Sequence, residues 1–136
     1  MTRREARELA FVLLFERSFC EQPIQEILEA SAEARDVVAD DFALRLAEGA
    51  EARFIELDAL ISQFARNWST ERISRVALAI LRLAAYEMQN EEDIPVSVSI
   101  NEAVELAKKY GGNEDASFVN GVLGGIARSL EPGEAQ

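Results

Sequence analysis

Apolar residues recur every three or four positions along almost the whole chain, which is the spacing that places them on one side of an α-helix. The first predicted helix runs from Arg3 to about Phe19. Thr2 and Glu5 precede its apolar stripe at the three-residue spacing of an N-terminal capping box. Pro23 ends this segment and, as a first helical residue, can begin a second, shorter helix.

A long periodic segment begins at Asp40-Asp41, and we expect it to be one helix that ends near Asn67-Trp68. Ser69-Thr70 are the predicted cap of the next helix. Within that helix the stretch Ala77–Ala85 is apolar at every position except Arg82, a pattern typical of a buried central helix.

Two further helices complete the prediction. Ser99 and Glu102 have the spacing of a second capping box, and the helix that they open ends at Lys108-Lys109. Gly111-Gly112 are candidates for a left-handed C-cap, and Asn113 is the predicted cap of a last helix that reaches about Leu130. No segment alternates as a strand would, so the sequence predicts a compact all-α bundle of about six to seven helices. We expect one domain over residues 1–130 and a flexible C-terminal tail over residues 131–136.

Composition limits the kinds of binding surface. The chain has 136 residues, 49% of them hydrophobic, which suffices for a core without disulfide or metal cross-links. Fourteen basic and 25 acidic residues give a net charge of −11. Because this field repels polyanions, a nucleic-acid site has to be a local basic patch.

Missing residue types exclude several chemistries. The chain has no histidine and a single cysteine, Cys20, so it cannot form a His-ligated zinc site, a Ser-His or Cys-His nucleophile pair, or an intrachain disulfide. The apolar run Leu9–Phe15 is too short to span a membrane and lacks a signal-peptide cleavage site. We therefore expect a cytoplasmic protein that is not an enzyme and that uses no metal or cofactor.

The N-terminal helix carries the most concentrated basic signal. Arg3 and Arg7 are four residues apart on one face, and Arg4 lies beside them. Three guanidinium groups suit phosphate binding, since each can form a bidentate, charge-assisted contact. The alternative is salt bridging within the helix to Glu5 and Glu8.

Two more positions have both a binding interpretation and a structural one. Tyr110 lies between two lysines and two glycines, where it can stack on an unpaired base or simply close the edge of the core at a helix end. Arg82, a lone charge within an apolar helix, can pair with Glu87 or Glu102, or contact an external phosphate or partner.

Four stretches together resemble the NusB family of bacterial transcription antitermination factors. They are Arg3–Ala10, Ala79–Glu87, Ile100–Gly111 and Phe118–Leu123, and their order and spacing match over nearly the whole chain. The blocks Ile-Asn-Glu-Ala…Lys-Tyr-Gly and Phe-Val-Asn-Gly-Val-Leu are the specific ones.

The resemblance implies an all-helical fold of two small helical subdomains without catalysis. It implies binding to boxA-type single-stranded RNA together with NusE, a small-subunit ribosomal protein, within an RNA polymerase antitermination complex. Two alternatives stay open: an acidic protein-interaction module of the same fold that binds little or no RNA, and a stand-alone accessory domain related to ribosomal-RNA methyltransferases. Whether the free chain is a monomer or a homodimer also stays open.

The resemblance further implies roles for individual residues. By position, the RNA-binding candidates are Arg3, Arg4, Arg7, Tyr110 and Arg82. The partner-binding candidates are Phe15, Asn113, Glu114 and Asp115. Ser117 and Gly124 depart from the family pattern, which has basic and acidic residues at these positions.

Overall fold

The computed structural model describes residues 2–35, 40–65 and 72–130, and in these ranges it consists of seven α-helices without a strand. The helices are α1 (Arg3–Arg17), α2 (Ile24–Arg35), α3 (Asp41–Ala52), α4 (Phe54–Phe64), α5 (Arg75–Asn90), α6 (Val96–Tyr110) and α7 (Asn113–Leu130). The prediction of an all-α fold is confirmed. The predicted tail at residues 131–136 lies outside the described residues.

The helices form two packed groups. Helices α1, α2 and α3 pack on one another, and helices α4 to α7 form the second group. Helix α5 contacts members of both groups, because it packs on α1 and α3 as well as on α4, α6 and α7. Its apolar stretch is buried, including Ala77, Ile80, Leu81 and Ala85, so the prediction of a central helix here is confirmed.

The N-terminus of α1 is capped as the sequence predicts. The hydroxyl oxygen of Thr2 accepts a hydrogen bond from the backbone N–H of Glu5 at 3.1 Å, and the Thr2 N–H donates to the Glu5 carboxylate at 2.8 Å. These two bonds satisfy donors that a helix start leaves unpaired. They hold the first turn, which carries Arg3 and Arg4, in a defined helical geometry.

The prediction of one long helix from Asp40-Asp41 is wrong, because the helix breaks at Arg53. Arg53 has φ −122° and ψ 24°, outside the helical range, and its N–H donates to the carbonyl of Ala50. Helix α3 packs mainly on α1 and α5, whereas α4 packs on α5 and α7, so the chain changes direction to bury both stripes. The predicted end at Asn67-Trp68 lies outside the described residues.

Two predicted caps are also corrected. Helix α5 begins at Arg75 and is capped by Ser74, whose hydroxyl accepts from the N–H of Ala77; Ser69-Thr70 lie outside the described residues. Helix α6 begins directly after Pro95, so Ser99 is not a cap but a buried residue within the helix. Proline is well suited to precede a helix, because the N–H that it lacks would have no intrahelical partner there.

The turn between α6 and α7 depends on one glycine. Gly112 has φ +103°, a value that side-chain-bearing residues rarely adopt, whereas Gly111 has φ −120°. Helix α7 then begins at Asn113, one residue before the predicted start. None of the helices in the described ranges is both long and apolar enough to cross a membrane.

Candidate nucleic-acid interface

The start of α1 and the end of α6 lie beside each other and enclose a cavity of about 310 Å³, here called the α1/α6 groove. Its charged lining residues are Arg4, Arg7 and Glu8 of α1 and Glu102, Glu105 and Lys109 of α6. The groove therefore combines two of the N-terminal arginines, Arg4 and Arg7, with Lys109, which lies about 100 residues later in the sequence.

Tyr110 packs against α1 beside this groove, where it contacts the groove residue Glu8. Its ring lies 4.8 Å from the ring of Phe11, centroid to centroid, its hydroxyl donates to the carboxylate of Glu8, and 40% of the residue is exposed. Burial, followed by the contact with Glu8, raises the pKa of the Tyr110 hydroxyl to about 12. Tyr110 is thus a neutral phenol at physiological pH, with part of its ring open to solvent.

Two exposed cations of the groove are paired with carboxylates. Arg4 is bidentate to Glu102, with distances of 3.0 and 2.8 Å, and the Lys109 ammonium is 2.5 Å from Glu8. The hydrogen bond from Arg4 lowers the pKa of the Glu102 carboxyl. The pKa of the Glu8 carboxyl is also lowered, chiefly by the hydrogen bond from Lys109. Because the Arg4 and Lys109 side chains are 72% and 61% exposed, water and salt screen both pairs, so phosphate groups can compete for the cations.

Arg3 lies on the other side of α1, above an aromatic ring. Its guanidinium carbon is 3.9 Å from the centroid of Phe42, and that of Arg45 on α3 is 5.2 Å from the same centroid. Arg45 is also bidentate to Glu91 at 3.0 and 2.8 Å. Sequence reasoning missed Arg45, since nothing in its local sequence indicates that α3 lies beside the start of α1.

Arg7 does not share the exposed position that the sequence predicted for all three arginines. Only 7% of it is exposed, and its Nε donates to Glu87 on α5 at 2.8 Å. The other carboxylate oxygen of Glu87 accepts from the hydroxyl of Ser99 on α6. The reason is helical spacing: position 7 lies on the same side of α1 as the buried Ala10 and Phe11.

Arg82 pairs with neither of the predicted carboxylates. It is bidentate to Asp58 on α4, with both distances at 2.8 Å, and its guanidinium lies 4.3 Å from the ring centroid of Phe54. Asp58 becomes available because the break at Arg53 turns α4 toward α5. Arg82 therefore forms an intramolecular ion pair, but its partner is Asp58 and not Glu87 or Glu102.

The candidate partner-binding residues lie toward the other end of α1 and at the start of α7. Phe15 is half-buried between Phe11 and Phe19, with ring centroids 5.8 and 5.0 Å away. Asn113 and Glu114 are exposed on the first turn of α7. Asp115 accepts a hydrogen bond from the Ser74 hydroxyl at 3.1 Å, which joins this turn to the start of α5.

Metal-ligating groups do not cluster in the part of the chain that the structure describes. Cys20 is a partly buried free thiol whose S–H donates to the carbonyl of Glu16 at 3.6 Å. The α1/α6 groove offers charged side chains, with the aromatic ring of Tyr110 beside them.

Comparison with known proteins assigns the family. Residues 4–128 match the model of the NusB family. The chain is 42% identical over 138 residues to the transcription antitermination protein NusB of Clostridium botulinum (strain Loch Maree / Type A3), covering 91% of this chain and 98% of the relative.

Two solved structures have the same fold. NusB of T. maritima superposes with a TM-score of 0.86 at 38% identity, covering 98% of this chain and 96% of that one. The antitermination factor NusB in a crystal structure with NusE and double-stranded RNA gives a TM-score of 0.84 at 26% identity, covering 94% of this chain and 97% of that one. The chain therefore belongs to the NusB family of transcription antitermination proteins, which are not enzymes.

Proposed function

We propose that this chain binds boxA-type single-stranded RNA through the α1/α6 groove and does so together with the ribosomal protein NusE. The observation that carries the proposal is the packing of Tyr110 against α1, beside the exposed cations Arg4 and Lys109. An accessible ring next to cations on two helices is the combination that single-stranded RNA requires. The solved complex of a related NusB with NusE and double-stranded RNA supports the part of the proposal that concerns NusE and contact with RNA.

Each group has a separate part in this proposal. The Tyr110 ring stacks on one unpaired base, while Arg4 and Lys109 contact backbone phosphates in the groove. Arg3, over Phe42 on the other side of α1, would contact only a phosphate outside the groove. In the free protein Arg4 is paired with Glu102 and Lys109 with Glu8, so the RNA has to displace two carboxylates. Affinity of the chain alone is therefore low, and a partner that adds contacts makes binding effective.

Arg7 and Arg82 have a positioning role in this proposal. Both guanidinium groups are committed to carboxylates of neighbouring helices, Glu87 and Asp58, and only 8% and 13% of their side chains are exposed. A phosphate contact would require each to leave a partner that is itself partly or fully buried, which costs more than the displacement of an exposed pair.

The partner surface in this proposal comprises Phe15 and the first turn of α7, residues Asn113, Glu114 and Asp115. The net charge of −11 favours a basic ribosomal protein, whose approach the field accelerates. We infer that the chain acts in the cytoplasm, as part of a transcribing RNA polymerase complex.

The test is a fluorescence-anisotropy titration of a boxA-like RNA, with a scrambled RNA of equal length as control, in the presence and absence of NusE. We expect selective binding that NusE strengthens. Light scattering at the same concentrations gives the oligomeric state, since a homodimer that covers the groove would weaken RNA binding at high protein concentration. Absence of selective binding with NusE present would instead support a protein-interaction module, in which the carboxylates of the groove permanently neutralise its cations.

A further inference from the structure

A second cavity, of about 390 Å³, lies at the opposite end of α1 and is lined by three arginines from two helices. Arg17 comes from the last turn of α1, whereas Arg75 and Arg82 come from α5. Phe54 and Asp58 of α4 also line this cavity. This site is called the arginine pocket below.

Its arginines are not fully neutralised. Arg82 is bidentate to Asp58, and Arg17 donates to Glu51 at 2.8 Å and to the carbonyl of Cys20 at 2.7 Å. Arg75 is exposed and donates only to the backbone carbonyl of Ser18, at 2.6 Å, with no carboxylate partner among the described residues. Two carboxylates thus face three guanidinium groups, which leaves local positive charge on a chain whose net charge is −11.

An exposed aromatic ring lies at the edge of this pocket. Phe19 is 60% exposed, and the Arg75 guanidinium lies 4.5 Å from its ring centroid. The ring of Phe15 meets it edge-on at 5.0 Å. A guanidinium and an open ring side by side match the two parts of a nucleotide, a phosphate and a base.

A continuous row of rings joins this pocket to the α1/α6 groove. From the groove outward the order is Tyr110, Phe11, Phe15 and Phe19, with centroid separations of 4.8, 5.8 and 5.0 Å. The row follows one side of α1, along which Arg4 and Arg17 are about 20 Å apart at 1.5 Å per residue. Both sites are therefore within reach of one extended strand of several nucleotides.

We propose that the arginine pocket and Phe19 form a second subsite for the same RNA strand that the α1/α6 groove binds. The phosphate of one nucleotide contacts Arg75, and its base stacks on the exposed side of Phe19. This inference rests on the proposed function, and it adds the path of the strand along α1. An open ring beside a guanidinium, and the row of rings that connects this pocket with the α1/α6 groove, favour RNA as the occupant.

The experiment compares Arg75→Gln and Phe19→Ala with wild type on a nested series of boxA-like RNAs, with NusE present. On RNA long enough to reach both sites, we expect Arg75→Gln to reduce the salt slope by about one unit, since one phosphate contact is lost. Phe19→Ala should weaken binding by roughly 5- to 150-fold without changing the slope, as loss of one stacked base does. On RNA that reaches only the α1/α6 groove, both variants should bind as wild type does.

The matched control is Arg128→Gln, which removes an exposed arginine near the end of α7, about 22 Å along that helix from its start. It should have no effect at any RNA length. Thermal unfolding of each variant checks that the fold is retained, and Phe19→Ala provides a second test that does not depend on Arg75.

Three outcomes would overturn the proposal, and they are distinguishable. If long RNA binds both variants as it binds wild type, the strand does not reach the pocket, while the proposed function stands. If the variants no longer bind NusE but their RNA affinity still depends on RNA length as that of wild type does, the pocket belongs to the protein partner. If wild type binds no RNA even with NusE, the proposed function fails as well.

Discussion

Arg7 of α1 and Glu87 of α5 form a buried ion pair, with 2.8 Å between Nε and Oε1, although 80 residues separate them in sequence. Ser99 of α6 donates to the second oxygen of Glu87, so one polar network joins three helices. An Arg7 Nη1 atom also lies 4.0 Å from Glu102, the carboxylate that holds Arg4. The network therefore positions both walls of the α1/α6 groove.

We expect Arg7→Met to destabilise the fold by about 3–5 kcal/mol, because it leaves the buried Glu87 carboxylate without its charged partner. Denaturant unfolding measures this change. The double variant Arg7→Met/Glu87→Met should recover most of the loss, since no unpaired charge remains. Equal destabilisation in the single and double variants would contradict a specific ion pair. The salt slope of RNA binding should stay at the wild-type value in every variant that folds.

Substitution of Arg4 and substitution of Glu102 should change the RNA affinity in opposite directions. Arg4→Gln is expected to weaken binding and to reduce the salt slope by about one unit, because one phosphate contact is lost. Glu102→Gln should strengthen binding, since it releases Arg4 and removes a negative charge from the groove. Anisotropy titrations at several salt concentrations measure both. If Glu102→Gln weakens binding, the carboxylate positions Arg4 for RNA rather than competing with it.

Tyr110 is expected to act through its ring and not through its hydroxyl. Tyr110→Ala should weaken RNA binding by roughly 1–3 kcal/mol, the contribution of one stacked base, with little change in the salt slope. Tyr110→Phe keeps the ring and should bind RNA at least as well as wild type. Comparable losses in the two variants would indicate that the hydrogen bond to Glu8, and not stacking, is the important contact.

The ionisation of Tyr110 gives a test that needs no RNA. Its pKa of about 12 lies above the ordinary value of 10, so the interaction stabilises the fold fully below pH 10 and is lost as the pH rises from 10 to about 12. A spectroscopic phenolate titration should show a late step that is absent from Tyr110→Phe. Phenolate formation by Tyr110 near pH 10 in folded protein would contradict the contact. Glu8 behaves oppositely, since its pKa is lowered: its contribution is present above the ordinary carboxyl pKa and is lost as the pH falls through the lowered value.

Two glycines of α7 should respond oppositely to the same substitution. A Cβ added at Gly125 would lie 2.6 Å from Cδ1 of Phe64, so Gly125→Ala should destabilise the fold by about 1–3 kcal/mol through overpacking between α7 and α4. At Gly121 nothing lies within 4 Å of an added Cβ. Gly121→Ala should therefore stabilise the fold by about 0.5–1 kcal/mol through helix propensity. Thermal or denaturant unfolding of the pair measures both, and equal effects would contradict the α4–α7 contact.

Local features of the fold were predictable from the sequence. The capping box at Thr2, the break at Pro23 and the left-handed turn at Gly112 each depend on a few neighbouring residues, and each was recognised correctly or within one residue. The apolar period identified an all-α fold, and α5 as its central helix. Motifs spread over the whole length identified the NusB family, because their order and spacing do not require knowledge of the fold.

Tertiary structure decided the rest. The break at Arg53 has no glycine or proline to indicate it. It arises because α3 packs on α1 as well as on α5, whereas α4 packs on α7 as well as on α5. The start of α6 at Val96 puts Ser99 in the core, where it meets Glu87. The sequence alone determined which segments are helical, because helix formation depends on nearby residues. The partners of Arg7 and Arg82 were decided by the packing of the helices, because an ion pair between distant residues depends on which helix faces are brought together.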